Sequence, residues 1–326
     1  MDSRIKNILK ITVGLLIAAL IFYFMFKRIA QGWEGIAPHL TSVNWGIMIV
    51  GVLIMEAGLM LAVPVWMYLA SRLYNINVPI RSALAIVFLP QASKYIPGKI
   101  WFLFGTVYMA KKLDIDSQAA LTVLIILQLI HLVGAFFIGA LINLISGATV
   151  LPAWIFAVFA TLCIVIMFPG VIHKIIGWGI RFGKKNKKID IRIPVLKPGY
   201  IIIPLLLIIC LWFLIGAGTL IAASSFIPDV KPEHLFTMSG AFSIAYAVGY
   251  VSMITPAGLG VREGVFAAML SPLYGETAAS VIAIGARIWL TIAEFLQVVI
   301  AIALFGYKRM RRLSPGFIKN SSLSDD

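Results

Sequence analysis

Charged residues are scarce in this sequence. Only 12% of its 326 residues are charged, whereas 61% are hydrophobic, and a soluble domain typically has about 25% charged residues. Charged side chains are missing altogether from 117–172 and from 198–228. A helix of about 20 apolar residues can cross the ~30 Å hydrocarbon core of a bilayer. The composition therefore predicts an all-α polytopic membrane protein, because long continuous apolar runs lack the alternation of barrel strands.

Patterns typical of disulfides, metal sites and enzymes are also missing. Cys163 and Cys210 lie inside apolar runs, where cysteine usually acts as a small buried hydrophobe. The four histidines are far apart in the sequence and do not have the spacing of metal ligands. No Walker loop, Rossmann fingerprint or Ser/His/Asp pattern occurs in a supporting context. We therefore expect no metal, no cofactor, no disulfide framework and no enzyme activity.

Apolar segments indicate about six full transmembrane helices. They lie near 10–26, 45–69, 117–145, 152–171, 200–226 and 277–306. The first also resembles a signal peptide, but Lys27 and Arg28 follow it without a small-residue cleavage pattern, so an uncleaved helix is expected.

Two further apolar stretches, 82–110 and 235–270, are interrupted. The first contains a break at 95–98 and the second a break at 255–260, both rich in proline and glycine. Proline removes a backbone donor and glycine permits non-helical dihedral angles. We therefore expect two broken helical hairpins, either re-entrant or fully spanning.

Basic residues predict the orientation of the chain. If both termini are cytoplasmic and each hairpin returns to its starting side, the cytoplasmic loops are 1–10, 70–81, 111–116, 173–197 and 307–326. These loops hold most of the 27 lysines and arginines, and 173–197 is the most basic of them. This is the positive-inside bias of a multi-pass cell-membrane protein. It accounts for the net charge of +14 without a nucleic-acid partner, and such loops can also bind anionic lipids.

The hairpins and their neighbouring helices predict an inverted repeat. Under this orientation the first hairpin enters from the cytoplasm and the second from outside, with similar spacing in both halves. The first unit is expected at 1–148 and the second at 149–310, followed by a cytoplasmic tail at 311–326. Secondary transporters often use this design and bind substrate between discontinuous helices. The alternative is coincidence, because proline and glycine are frequent in membrane helices.

The first break carries two lysines around a Pro-Gly pair. Its sequence includes Lys94, Tyr95, Pro97, Gly98 and Lys99. An ammonium group inside the membrane needs an anionic partner, and a phosphate at a helix N-terminus would provide one. In the other interpretation, this loop is shallow and both lysines extend to the interface.

The second break carries an arginine and a glutamate at the start of a helix. Pro256, Gly258 and Gly260 precede Arg262 and Glu263. An arginine there can bind a phosphate through two hydrogen bonds. Glu263 is favoured by the helix dipole and is a candidate proton-coupling group. The alternative is that both residues only cap the helix.

Three further ionisable residues lie within predicted spans. Arg287 and Glu294 are seven residues apart in the last span and share a face, and Glu56 is isolated in the second span. Such groups usually face a cavity or a partner. Arg287 is a candidate headgroup ligand, and Glu56 and Glu294 are candidate proton-coupling groups, unless Arg287 and Glu294 form a purely structural bridge.

The segments 94–99 and 256–263, in this order of helices, resemble the lysylphosphatidylglycerol synthase transmembrane region (flippase-like) family over about 5–310. That family includes the membrane half of proteins that make and translocate aminoacylated phosphatidylglycerol, and stand-alone members associated with envelope glycolipid and polysaccharide pathways. The resemblance implies lipid translocation through Lys94, Pro97, Gly98, Lys99, Pro256, Gly258, Gly260, Arg262 and Glu263. Ala257 replaces a frequent glycine. Because the sequence ends about twenty residues after its last span, no aminoacyl-transferase domain is expected.

Three functions are consistent with these features. The leading hypothesis is a flippase-like transporter for a phosphate-bearing lipid or lipid-linked sugar, coupled to an ion gradient, the membrane potential or substrate supply because no ATP-binding motif is present. The second is a non-catalytic scaffold that binds a lipid-modifying enzyme or glycosyltransferase through 173–197. An intramembrane enzyme acting on a lipid-linked sugar is the least supported, since no catalytic constellation stands out.

Overall fold

The computed structural model describes residues 33–95, 101–146, 199–252 and 258–305, together with Thr255 and isolated positions between 12 and 31 and between 158 and 197. In this part of the chain the regular secondary structure is helical. The α-helices are α1 (Trp33–Thr41), α2 (Trp45–Met60), α3 (Ala62–Tyr74), α4 (Ile80–Phe88), α5 (Trp101–Lys112), α6 (Ser117–Ser146), α7 (Gly199–Ser224), α8 (Leu235–Val251) and α9 (Val261–Phe305). Short 3₁₀ helices occupy Leu89–Tyr95 and Pro232–His234.

Four helical segments are long and apolar enough to cross a membrane. They are Trp45–Tyr74, Ser117–Ile142, Gly199–Ser224 and Val261–Phe305. Bulky apolar side chains such as Leu206 and Phe295 are about 60% exposed on these helices, as expected for surfaces that contact lipid. The structure thus confirms a multi-pass helical membrane protein. The predicted spans at 10–26 and 152–171 lie almost entirely outside the described residues, so the count of six stays a prediction.

Helices α2 and α7 pack tightly in an antiparallel arrangement. The amide of Asn44, which caps α2, donates to the carbonyl of Ser225 just after α7 at 2.9 Å. The helices approach so closely that a Cβ on Gly51 would lie 2.6 Å from the carbonyl oxygen of Gly218. Small residues permit such close contact between membrane helices, where dispersion forces replace the hydrophobic effect.

The first hairpin begins and ends at one end of the bundle. A cavity there is lined by Tyr74 at the end of α3, Arg81 in α4, Lys112 at the end of α5, Asp116 before α6 and Phe305 at the end of α9. The predicted loops 70–81 and 111–116 therefore lie at the same end of the bundle as the last described turn of α9.

The second hairpin begins and ends at the opposite end. The hydroxyl of Tyr274 in α9 is 2.8 Å from Nδ1 of His234, which immediately precedes α8. The rest of α9 then runs from there to Phe305, a distance of about 45 Å at 1.5 Å per residue. The two hairpins thus enter the bundle from opposite ends.

Packing between the halves is reciprocal. Helix α4 of the first hairpin packs on α9, and α8 of the second hairpin packs on α6. At the α2–α7 crossing, a Cβ on Gly218 would meet Gly51 and Met55, and a Cβ on Gly58 would meet Leu211 and Ile215. These two sets are related by one constant offset in residue number, which pairs 51 with 211, 55 with 215 and 58 with 218. The same offset relates the first residues of α5 and α9. The unit boundaries at 1–148 and 149–310 and the tail at 311–326 stay predictions.

One helix boundary differs from prediction. In the first hairpin the α-helix ends at Phe88 and continues as a 3₁₀ helix that contains Pro90, because proline has no amide hydrogen to donate. Within α9, the second half-helix and the last span meet at a kink at Gly275 (φ 77°, ψ 162°), inside the gap predicted between 270 and 277. That positive φ favours glycine and lets the chain reverse within a single residue.

Candidate functional site

A cavity of about 70 Å³ lies between the two halves of the molecule. Apolar side chains from α2, α3, α4, α6, α7 and α9 form much of its wall. Its polar lining residues are Gln91, Gln128, His131, Tyr246, Arg262, Glu294 and Gln297. A largely apolar pocket with a few converging polar groups is typical of a ligand site.

Arg262 is held at this cavity by the geometry of the second break. Gly258 and Gly260 adopt φ values of 72° and 81°, a region that glycine enters at no steric cost. A Cβ on Gly258 would lie 2.8 Å from the carbonyl oxygen of Gly249 in α8, and a Cβ on Gly249 would lie 3.0 Å from Cβ of Arg262. The break therefore crosses α8 at close range and brings Arg262 against that helix.

The guanidinium of Arg262 lies against two aromatic rings. Its Cζ is 4.7 Å from the ring centre of Phe242 and 5.0 Å from that of Tyr246, and the residue is only 8% exposed. A desolvated cation–π contact of this kind contributes about 2 kcal/mol.

Glu263 both caps α9 and neutralises a second arginine. Its Oε2 accepts a hydrogen bond from the amide of Gly260 at 2.6 Å, which is the glutamate half of a capping box. Its Oε1 lies 3.5 Å from Nε of Arg287, and the two side chains are 1% and 12% exposed. The spacing of Arg287 and Glu294 in the sequence did not predict this pair.

A smaller cavity of about 10 Å³, about the space that one water molecule needs, adjoins Arg262 on the side of these paired residues. Its polar lining consists of Arg262, Glu263 and Arg287, and Phe242 and Phe266 are among its apolar residues. Arg262 lines both this cavity and the central one. It therefore stands between the Glu263–Arg287 pair and the larger space.

Two further carboxylates are buried close to each other. Glu294 lines the central cavity and is 8% exposed. Glu56 is 6% exposed and interacts electrostatically with Glu294. Among the described residues, neither oxygen of Glu56 has a hydrogen-bond partner. Burying a charged carboxylate without a partner is strongly unfavourable, so this position favours a carboxyl group that binds a proton.

The first half contributes uncharged polar groups to the cavity. Nδ1 of His131 is 2.9 Å from the carbonyl of Leu127, so that nitrogen carries the hydrogen and Nε2 is an acceptor. The indole of Trp212 donates to the carbonyl of His131 at 3.2 Å and thereby ties α7 to α6. His131 therefore has a fixed ring orientation beside the cavity.

The structure brings together part of the predicted set of site residues. Arg262, Glu263, Arg287 and Glu294 form one cluster, Glu56 lies next to it, and Gly258 and Gly260 shape the backbone. The backbone of Lys94 and Tyr95 belongs to the 3₁₀ helix, but their side chains are not described. Pro97, Gly98, Lys99 and Pro256 lie outside the described residues.

Several cavity residues were missing from the predicted set. Gln91, Gln128, His131, Tyr246 and Gln297 line the cavity. Gln128 and His131 carried a usable signal, because they are polar residues three apart within a span that has no charge. Tyr246 had no such signal, since an aromatic residue in an apolar helix is usually a packing residue.

Comparison with known families agrees with this architecture. The model of the lysylphosphatidylglycerol synthase TM region matches residues 11–308. The chain belongs to this family. No curated protein matches it. Membership places the chain among membrane proteins of lipid and envelope biology.

Proposed function

We propose that the protein is a flippase-like transporter of the cytoplasmic membrane, which moves a phosphate-bearing lipid or lipid-linked sugar headgroup through the central cavity. The observation that carries this proposal is the position of Arg262. This arginine is buried at the edge of the central cavity and lies against two aromatic rings. An arginine in a membrane protein is expensive unless it has a function or a partner.

The charges around Arg262 favour an anionic ligand. Glu263, its neighbour in the sequence, uses its two oxygens for the helix cap and for Arg287. Arg262 therefore does not depend on Glu263 for a direct contact and can offer paired N–H donors to a phosphate. Arg287 adds a second positive charge nearby, since Arg262 and Arg287 interact electrostatically.

The first break is assigned to the same path by family resemblance. Gln91, three residues before Lys94, lines the central cavity. We place Lys94, Tyr95, Pro97, Gly98 and Lys99 along the headgroup route on this basis. The ammonium groups of Lys94 and Lys99 would neutralise the phosphate during passage between the hairpins.

Proton coupling is assigned to the pair formed by Glu56 and Glu294. A carboxyl group with no hydrogen-bond partner among the described residues can gain or lose a proton without breaking a local contact. Glu294 lines the cavity and senses both Glu56 and Arg262. Arrival of an anionic headgroup would change the balance of charge at these carboxylates. Glu263 is a weaker candidate, because both of its oxygens have partners.

The arrangement of the hairpins supports an inverted repeat that exposes the cavity alternately to the two sides. The hairpins start from opposite ends of the bundle, and the packing of α4 on α9 matches that of α8 on α6. In transporters built this way, one unit rocks against the other around a fixed site. The positive-inside bias places both termini and the loop 173–197 in the cytoplasm.

The proposal is tested by lipid translocation in liposomes. The full chain is reconstituted and assayed with fluorescent phosphatidylglycerol, an aminoacylated lipid and a polyprenyl-phosphate sugar. The Arg262→Ala variant should lower movement of the transported lipid about a hundredfold, since bidentate recognition and a buried charge are both lost. The matched control is Arg72→Ala, which removes an exposed arginine whose Cζ lies 5.5 Å from the ring centre of Tyr68.

The alternative of a scaffold gives a different result. A scaffold would move none of the three lipids, and neutral residues at the basic positions of 173–197 would release its partner enzyme. A flippase would lose transport in Arg262→Ala and keep it when that loop is neutralised. Folding of each variant is checked by its thermal unfolding in detergent.

A further inference from the structure

A second, largely apolar cavity adjoins the central one. It has a volume of about 110 Å³ and lies between α5, α6 and the end of α8. Its apolar lining is formed by Phe102, Leu103, Ile125, Leu129, Leu132 and the ring of Tyr250. We call this space the lateral groove.

The lateral groove reaches the outer surface of the helical bundle. Tyr250 at its edge is 41% exposed, and Trp101 and Phe104, which flank Phe102 and Leu103 on α5, are 46% and 60% exposed. Large apolar side chains exposed in this way on a membrane protein face lipid. The groove therefore opens at an apolar part of the bundle surface, which a bilayer would cover.

The lateral groove borders the central cavity. Leu124 and Gln128 of α6 line both spaces. The rings of Tyr246 and Tyr250 lie at the border of the two spaces. They stack with centres 6.0 Å apart and an interplanar angle of 19°. One tyrosine lines the central cavity and the other lines the groove.

The central cavity and the lateral groove differ in the chemistry of their lining residues. The central cavity is lined by Arg262, Glu294 and several amides. The amide that lines the lateral groove is that of Gln128, which lines the central cavity as well and so lies at the junction of the two spaces. This order of a charged pocket, a polar junction and an apolar channel to the bilayer matches a molecule with a phosphate at one end and a hydrocarbon chain at the other. A small soluble anion would gain nothing from the groove.

We propose that the lateral groove holds the hydrocarbon chain of a membrane lipid whose headgroup occupies the central cavity. This inference rests on the proposed function and deepens it, because it makes the substrate a lipid that enters sideways between α5, α6 and α8. Gln128 lies where the headgroup joins the chain, and the Tyr246–Tyr250 stack forms the wall along which the lipid slides.

The test blocks the groove and leaves the charged site unchanged. Leu129→Trp adds an indole inside the groove, and Leu141→Trp makes the same change on the surface of α6 at a residue that is 40% exposed and outside the groove. The full chain is reconstituted in liposomes with phosphatidylglycerol that carries a photoreactive diazirine at the end of one acyl chain. Transport rate and the site of photolabelling are both measured.

We expect Leu129→Trp to slow lipid transport about tenfold, since a filled groove leaves no room for a chain. Photolabelling of α5 and α6 at the groove should fall with it, and Leu141→Trp should behave like the wild type. If Leu129→Trp fails to fold, Leu103→Trp and the wild-type labelling pattern provide the same test.

The outcomes separate this inference from the proposed function. If Leu129→Trp transports and labels like the wild type, or if the wild type is labelled only away from α5 and α6, the groove does not hold the chain and the flippase proposal stands. If the wild type moves no lipid, or moves inorganic phosphate without lipid, the proposed function fails and this inference fails with it.

Discussion

The two halves of the chain line the central cavity with different chemistry. The first half supplies Gln91, Gln128 and His131, which carry no permanent charge, whereas the second supplies Arg262 and Glu294. The backbones nevertheless pack reciprocally, with matching contacts at the α2–α7 crossing. Under the proposed inverted repeat, the two units would keep a common backbone while the side chains of one half specialise in charge. A headgroup in this cavity would bind off-centre, against the second half.

The largest effect is expected from a change in the charged second half of the chain. In Glu263→Ala, α9 loses its cap and Arg287 loses the carboxylate 3.5 Å away. Removing one partner of a buried ion pair costs about 3–5 kcal/mol, so we expect a large drop in unfolding temperature, measured in detergent. Glu263→Gln also loses the charge beside Arg287, but it should fall less than Glu263→Ala, because its amide oxygen can still accept the Gly260 N–H. Equal stability of the two variants would contradict the capping role.

A more selective change replaces the carboxyl group of Glu56, which lies beside the cavity and can release a proton. In Glu56→Gln the side chain keeps its shape but can no longer ionise. We expect a pH gradient to drive lipid accumulation in the wild type and to have no effect in this variant, although downhill movement continues. Liposomes with different internal and external pH provide the measurement, and Glu233→Gln, at an exposed loop residue, is the control. Gradient-driven accumulation by Glu56→Gln would move the coupling site elsewhere.

The smallest expected effect comes from the uncharged half. Gln128→Leu removes one amide where the cavity meets the lateral groove, and a single hydrogen bond contributes about 0.5–1.5 kcal/mol. We therefore expect lipid transport to slow by about two- to tenfold, measured in the same liposomes.

Gln297 is the amide that the charged half contributes to the cavity, and it can be compared directly with Gln128. Gln297→Leu makes the same chemical change beside Glu294, in the half that is proposed to bind the phosphate. If Gln128→Leu slows transport as much as Arg262→Ala, the headgroup is not bound mainly by the second half.

Much of the fold follows from local physics. Apolar length alone identified four segments that the structure forms as membrane-crossing helices, because lipid leaves a backbone no alternative to internal hydrogen bonds. The proline and glycine residues near 95–98 and 255–260 likewise identified the breaks. The first hairpin was predicted less accurately, because its α-helix already ends at Phe88 and gives way to a 3₁₀ helix that contains Pro90.

Part of the site was also readable from the sequence. Arg262, Glu263, Arg287 and Glu294 stand out because each is an ionisable residue within an apolar stretch, where burial without function is costly. Tyr246 and Gln91 could not be found in this way, since neither residue type is unusual in a membrane helix.

The sequence by itself determined that the chain is a helical membrane protein and which ionisable residues require an explanation, and its basic loops predict the orientation. Only the tertiary structure decided which of them meet. The pairing of Glu263 with Arg287, the stacking of Arg262 on Phe242 and Tyr246, and the junction at Gln128 all join separate helices. Spacing along one helix specifies a face, but the neighbour of that face depends on how glycines such as Gly51 and Gly249 let helices approach.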